Sequence, residues 1–119
     1  MSKTVSDIIL FGTSQPDVSS SPTPPEKLIK GTPMQTTHSY YVSPDNHFFA
    51  GLWEAEPGCW RIKYTEHEYM HILEGKSILR DNAGNEMYLT AGMKVVMPAG
   101  FEGEWEVVEH TKKVYVIYE

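Results

Sequence analysis

The stretch Gly58-Cys-Trp-Arg-Ile-Lys-Tyr-Thr-Glu-His-Glu-Tyr-Met-His-Ile-Leu-Glu-Gly75 has two incompatible readings, and the choice between them decides the fold. It contains His67-Glu68-x-x-His71, which on a helix would place two imidazoles on one face for zinc, with a carboxylate between them as general base. The surrounding pattern argues against a helix. Trp60, Ile62 and Tyr64 alternate with Cys59, Arg61 and Lys63 in the period of a half-buried strand. Thr65-Glu66-His67 is a polar break suited to a turn, and the apolar run Tyr69 to Leu73 then leads into Gly75, which closes the stretch. On a strand, His67 and His71 stand about 13 Å apart, four steps of roughly 3.3 Å, too far to share one ion, and Glu68 points to the other face. The motif is therefore read as two strands joined by a turn, which predicts a β circular-dichroism spectrum.

Composition excludes several function classes. A chain of 119 residues fits one domain with one core. A net charge of -6 without any Lys/Arg cluster argues against a nucleic-acid backbone as partner. The single cysteine, Cys59, forms no internal disulfide, and its acidic neighbours Glu54 and Glu56 give no sign of an activated thiolate. Met1 to Ser20 lack the basic flank and long apolar core of a secretory signal, and Ile8-Ile9-Leu10-Phe11 is too short to span a bilayer. The expectation is a cytoplasmic protein with no membrane partner, the apolar patch packing on the domain or on a second copy.

Residues 1–36 read as an N-terminal arm. Ser19-Ser-Ser-Pro-Thr-Pro-Pro25 cannot continue a helix or a central strand and is expected to be extended or loose, with a turn or short strand over Glu26 to Lys30. Residues 37–119 read as a single β domain. Its runs are His38–Val42, Phe48–Trp53, Trp60–Tyr64, Tyr69–Leu73, Ser77–Arg80, Met87–Leu89, Val95–Met97, Trp105–Val108 and Val114–Tyr118. Turn chemistry separates them: Pro44-Asp-Asn, Glu56-Pro-Gly, Asp81-Asn-Ala-Gly-Asn, Ala91-Gly and Pro98-Ala-Gly. Many short strands without a helix imply an antiparallel sandwich or barrel.

Two spacings sharpen this. Glu68 is followed after six residues by Gly75, and Gly92 after five by Pro98-x-Gly100. These resemble the two motifs of the cupin superfamily. Gly51-Leu-Trp-Glu, Tyr69-Met-His-Ile-Leu-Glu-Gly75, Pro98-Ala-Gly-Phe-Glu-Gly-Glu-Trp-Glu-Val and Lys112-Lys-Val-Tyr-Val-Ile further resemble the cupin domain of ureidoglycine aminohydrolase, from about Pro22 to the C-terminus. The resemblance implies an all-β fold, a cupin (RmlC-like) jelly-roll barrel with an extended N-terminal arm. It also implies pairing into a homodimer, in which the arm and the Ile8 to Phe11 patch could lie across a neighbour's sheet edge.

The usual cupin metal centre takes a His-x-His pair, a glutamate shortly after, and a histidine following Pro-x-Gly, a donor set suited to Mn, Fe, Ni or Zn. Here the paired positions fall on Ile62 and Tyr64 and the last on Gly103, so only Glu68 remains. A single carboxylate does not hold a transition metal against water. No metal ligand is therefore assigned and no cofactor is favoured, with a divalent Mn, Ni or Zn ion kept as the alternative.

The pocket candidates are Trp60, Tyr64, Glu66, Glu68 and His71. Tyr64 and Glu68 form the nucleus, because polar tips among apolar walls need partners that a ligand can supply. A Glu68 buried without a cation would have a raised pKa and could act as general acid or base. His71, on the face opposite Glu68 by strict alternation, reads as packed or as a dimer contact. Trp53, Trp60 and Trp105 serve as aromatic wall or core, while Lys112 and Lys113 read as solvated caps of the last strand. His38, His47 and His110 read as solvated. Two functions follow: a binding module for a small polar molecule, or a metal-dependent, aminohydrolase-like enzyme on a ureido or amino-acid-like substrate using Glu66, Glu68, Tyr64 and His71.

Overall fold

A computed structural model describes all residues, 1–119, as nine strands preceded by a 3-10 turn at Val5–Asp7. In chain order the strands are β1 (Asp17–Pro22), β2 (Leu28–Lys30), β3 (Met34–Val42), β4 (Phe48–Ala55), β5 (Gly58–Lys63), β6 (His67–Asp81), β7 (Glu86–Thr90), β8 (Lys94–Met97) and β9 (Glu102–Tyr118). No helix is long and apolar enough to cross a membrane.

All pairings are antiparallel, and the continuous sheet folds into two layers because β6 and β9 run through both. The first half of β6 and the second half of β9 lie with β1, β3, β4 and β8. Their other halves lie with β2, β5 and β7. This is the jelly-roll barrel that the cupin resemblance implied, one of the two antiparallel forms the strand pattern allowed.

Two expected strand breaks are absent. Tyr69–Leu73 and Ser77–Arg80 are one strand, as are Trp105–Val108 and Val114–Tyr118. Gly75 does not close a strand: it sits inside β6 at φ 88°, where register shifts between Ile72 and Ser77 turn the ladder from one layer into the other. Only glycine fits there, since a Cβ would run into the carbonyl oxygen of His110 on the neighbouring β9. A bulge in mid-strand carries the same turn-forming residue as a strand end, so the local signal does not separate them.

The arm contributes edges. β1 pairs with β3 through the serine tract, where Pro22 costs no central ladder bond, and β2 pairs with β5. Between them, Thr23 Oγ1 donates to the Pro33 carbonyl at 3.1 Å, Gln35 Nε2 donates to Thr23 Oγ1 at 3.0 Å, and the Arg61 amide donates to the Lys27 carbonyl at 2.9 Å. The turn carrying Lys27 is thereby held across the mouth of the barrel. Phe11 stacks on Tyr40 with ring centroids 4.2 Å apart, while Ile8 and Leu10 stay exposed.

The core between the layers is built from inward residues of both: Trp60, Trp105, Met70, Ile72, Leu79 and Leu89, all buried. Outward residues of the first layer line up across five strands, Tyr41 opposite Ala50, then Val116, Tyr69 and Val96. This row contains no charge, and Val96 is 68% exposed.

Candidate functional site

The inward positions of β4, β9 and the first half of β6 place Trp53, Lys113 and Glu68 together, because Trp53 registers with Lys113 and Glu68 with Ile117. Lys113 Nζ lies 2.7 Å from Glu68 Oε2, and the two side chains are only 6% and 4% exposed. The same ammonium stands over two indole faces, 4.7 Å from the ring centre of Trp53 and 4.6 Å from that of Trp105. A cation desolvated between a carboxylate and the negative faces of two rings is doubly compensated.

Lys113 is thus not the solvated strand cap its sequence neighbourhood suggested. Successive residues of β9 alternate between faces, so Lys112 points outward while Lys113 joins Tyr115 and Ile117 toward the interior. The condition under which Glu68 would act as a lone buried acid is likewise not met, because it has a cation partner.

Above this pair opens a cavity of about 440 Å³, lined by Trp60, Tyr64, Glu66 and Glu68 among the expected candidates. Lys27, Gln35, Thr37, Phe49 and Tyr115 complete it from the arm turn, β3, β4 and β9. Burial pushes the Tyr64 phenol far above its ordinary range, and the negative charge of Glu68 adds to the effect. Burial raises Tyr115 in the same way, partly offset by a hydrogen bond with Ser39. Both phenols stay protonated and present O–H donors to the cavity. Trp53, whose Nε1 donates to Gln35 Oε1 at 3.2 Å, is steered by the arm through the Gln35 to Thr23 link.

His71 does not line the cavity. It pairs with Lys94 and Val114 on the outer face, because alternation along β6 sends Glu68, Met70 and Ile72 inward and His67 and His71 outward. The zinc-protease geometry is excluded by the same fact. His67 Nδ1 instead accepts from the Ala99 amide at 3.1 Å.

The other histidines are engaged rather than simply solvated. His38 and His110 each place Nε2 on a different oxygen of Glu54, at 3.0 and 2.9 Å, and His47 Nδ1 lies 2.6 Å from the Glu119 carbonyl. Burial works to raise the Glu54 carboxyl, but the two imidazoles outweigh it and hold the pKa below the ordinary value. Cys59 is buried, and desolvation with the nearby Glu104 and Glu106 charges raises its thiol to about 11, so it is no nucleophile at neutral pH.

These residues do not make a transition-metal donor set. Nowhere do three or more His, Cys, Asp or Glu side chains gather closely enough to hold an ion, and an ammonium already compensates the one carboxylate a cupin metal would use. Backbone packing closes off the remaining imidazole position as well. A Cβ at Gly103 would run into the carbonyl oxygen of Arg80 on the paired strand β6. Gly103→His is expected to lower stability by about 1 to 3 kcal/mol, the usual cost of overpacking, without recruiting a metal. Urea unfolding with metal analysis of the purified variant checks this, and stoichiometric Ni or Zn in a stably folded variant would contradict it.

The sequence profile described as the EutQ-like cupin domain matches residues 42–115. No curated protein sequence matches the chain. Among solved structures, a DUF861-family protein of unknown function from Pseudomonas syringae pv. tomato shares 21% identity, with 88% of this chain and 45% of that one covered and a TM-score of 0.76. A putative ethanolamine utilization protein Q from Salmonella typhimurium shares 19% identity over 90% of this chain and 98% of that one, with a TM-score of 0.64. A DUF861-family protein from Thermotoga maritima shares 31% identity over 54% of this chain and 73% of that one, with a TM-score of 0.53. The first two likenesses establish the fold alone.

Proposed function

The chain belongs to the EutQ-like cupin family, and from that premise we propose that it binds a small polar molecule in the barrel without a metal ion, the Lys113 ammonium standing beside Glu68 where the usual cupin centre would place a metal. The observation that carries this reading is the buried pair itself: Lys113 and Glu68, 2.7 Å apart, form the floor of a cavity with aromatic walls. A buried ion pair of this kind is a weak device for stability, since apolar residues of similar size serve as well or better. A floor presenting a cationic donor next to an anionic acceptor, with the Tyr64 and Tyr115 hydroxyls above it, is suited to orienting a polar ligand.

The aminohydrolase-type alternative requires a metal, for which these residues supply one carboxylate.

The test is a screen of small polar molecules by quenching of tryptophan fluorescence, repeated in Lys113→Met/Glu68→Gln, which removes both charges and leaves neither buried alone. Binding by the parent and at least about tenfold weaker binding by the double variant are expected, corresponding to about 1.4 kcal/mol of lost contacts. Protein purified without chelators or a histidine tag that carries stoichiometric Mn, Ni or Zn, lost in Glu68→Ala, would overturn the metal-free reading.

We also propose that the uncharged outer row receives a second copy of the chain. A row running Tyr41, Ala50, Val116, Tyr69, Val96 presents the same neutral surface to its two-fold mate, and contiguous exposed apolar surface of this kind marks an interface. Val96→Glu should shift the protein from dimer to monomer in light scattering while leaving the β spectrum intact. A monomeric parent would count against this pairing. An unchanged dimer after deletion of residues 1–25 would separate it from pairing through the arm.

A further inference from the structure

The cavity lining contains four charged side chains, Lys27, Glu66, Glu68 and Lys113. Two of them, Lys113 and Glu68, neutralise one another at the floor. The other two, Lys27 and Glu66, belong to no ion pair, either with each other or with any other residue. Each faces the same space, and neither side chain makes a hydrogen bond within the protein. Both also line a second cavity of about 200 Å³ at the mouth, whose other cations stand outside the cup: Arg61 is exposed, on the face of β5 opposite Trp60 and Ile62, and Lys63 is held by Glu102 at 3.6 Å.

From this arrangement we infer that the cup selects a zwitterion of the α-amino-acid type, its carboxylate held by Lys27, its ammonium by Glu66, and its side chain against the tryptophan wall. The inference rests on the proposed binding function and specifies the ligand class. Charge counting carries it. With the floor pair cancelled, the cavity offers one free cation and one free anion, so a purely anionic or purely cationic ligand leaves an opposite charge uncompensated as water is displaced. A zwitterion satisfies both, and a charge left unpaired where the ligand displaces its water is unfavourable. The two charges sit on different elements, and Lys27 is fixed by the backbone bond from the Arg61 amide to its carbonyl. Glu66, half-buried in the link between β5 and β6, faces the ammonium end.

The experiment titrates the standard α-amino acids, each beside its amide, which lacks the carboxylate, and its N-acetyl form, which lacks the ammonium, using tryptophan fluorescence and calorimetry. At least one amino acid should bind at least about tenfold more tightly than both of its blocked forms, the ratio matching loss of one ionic contact. Lys27→Gln should erase the preference over the amide, weakening the amino acid and relieving the amide of the uncompensated cation. Glu66→Gln should erase the preference over the N-acetyl form in the same manner. Equal binding of a blocked form and its parent, or no binding by any amino acid at millimolar concentration, overturns the inference. If other polar molecules still bind and weaken in Lys113→Met/Glu68→Gln, only the ligand class falls. If nothing binds, the proposed function falls with it.

Discussion

Lys113→Met should lower the stability of the protein by about 3 to 5 kcal/mol, because it leaves the Glu68 carboxylate buried with no counter-charge. Methionine keeps nearly the same reach and apolar bulk, so the loss reports the missing ammonium rather than a cavity. A decrease of that size is a large share of the 5 to 15 kcal/mol that holds a typical domain together, and it should move the thermal midpoint by roughly 10 to 20 °C. The control is the pair of charges removed together. Lys113→Met/Glu68→Gln should recover most of the loss, since a neutral pair of similar shape carries no buried charge. A single variant as stable as the parent would show that water reaches Glu68 and that the floor of the cup is not the desolvated pair described above.

The second large effect is expected at Trp105. Its side chain is among the largest fully buried in the protein, packs edge-on to Trp53 with centroids 5.5 Å apart, and donates from Nε1 to Ser77 Oγ at 3.1 Å. Ser77 Oγ in turn lies 2.7 Å from Thr111 Oγ1, so the indole closes a hydroxyl network where β6 and β9 pass between layers. Trp105→Ala should cost about 3 to 5 kcal/mol through lost burial and the residual cavity. It also removes one of the two aromatic faces under the Lys113 ammonium. In urea the midpoint should fall with an unchanged slope, and Trp105→Phe should lose distinctly less. Similar midpoints for the two variants would mean that the site collapses around alanine and that the indole matters for ligand contact alone.

Much of the fold is legible in the chain. Alternation over Trp60, Ile62 and Tyr64 identifies a strand where a metal-binding helix would otherwise be read, and β5 covers Gly58–Lys63. Pro98-Ala-Gly100 ends β8 at Met97 as its turn chemistry requires. Less legible is continuity. Gly75 carries the same local signal whether a strand stops or bends, and the difference lies in the His110 carbonyl, a backbone atom from a strand distant in sequence. The candidate site divides along the same line. Tyr64, Glu66 and Glu68 are recognisable as polar residues beside an aromatic strand, whereas Lys113 is not. In Lys112-Lys-Val-Tyr-Val-Ile-Tyr118 both faces alternate through apolar residues, so periodicity does not tell which lysine points inward. Lys27 is hidden for a different reason, since it lies in a proline-bounded arm whose path over the cup depends on the bond between its carbonyl and the Arg61 amide.

By itself, then, the order of residues determined that this chain forms an antiparallel sandwich or barrel, because period and turn chemistry are local properties, and its resemblance to the cupin motifs put Ile62, Tyr64 and Gly103 at the imidazole positions. Only the tertiary structure decided what stands beside Glu68. An ion pair between residues 68 and 113 exists when two strands register with their inward faces toward one space. Its strength comes from the exclusion of water by Trp53 and Trp105, a condition that belongs to the assembled barrel and to no segment of it.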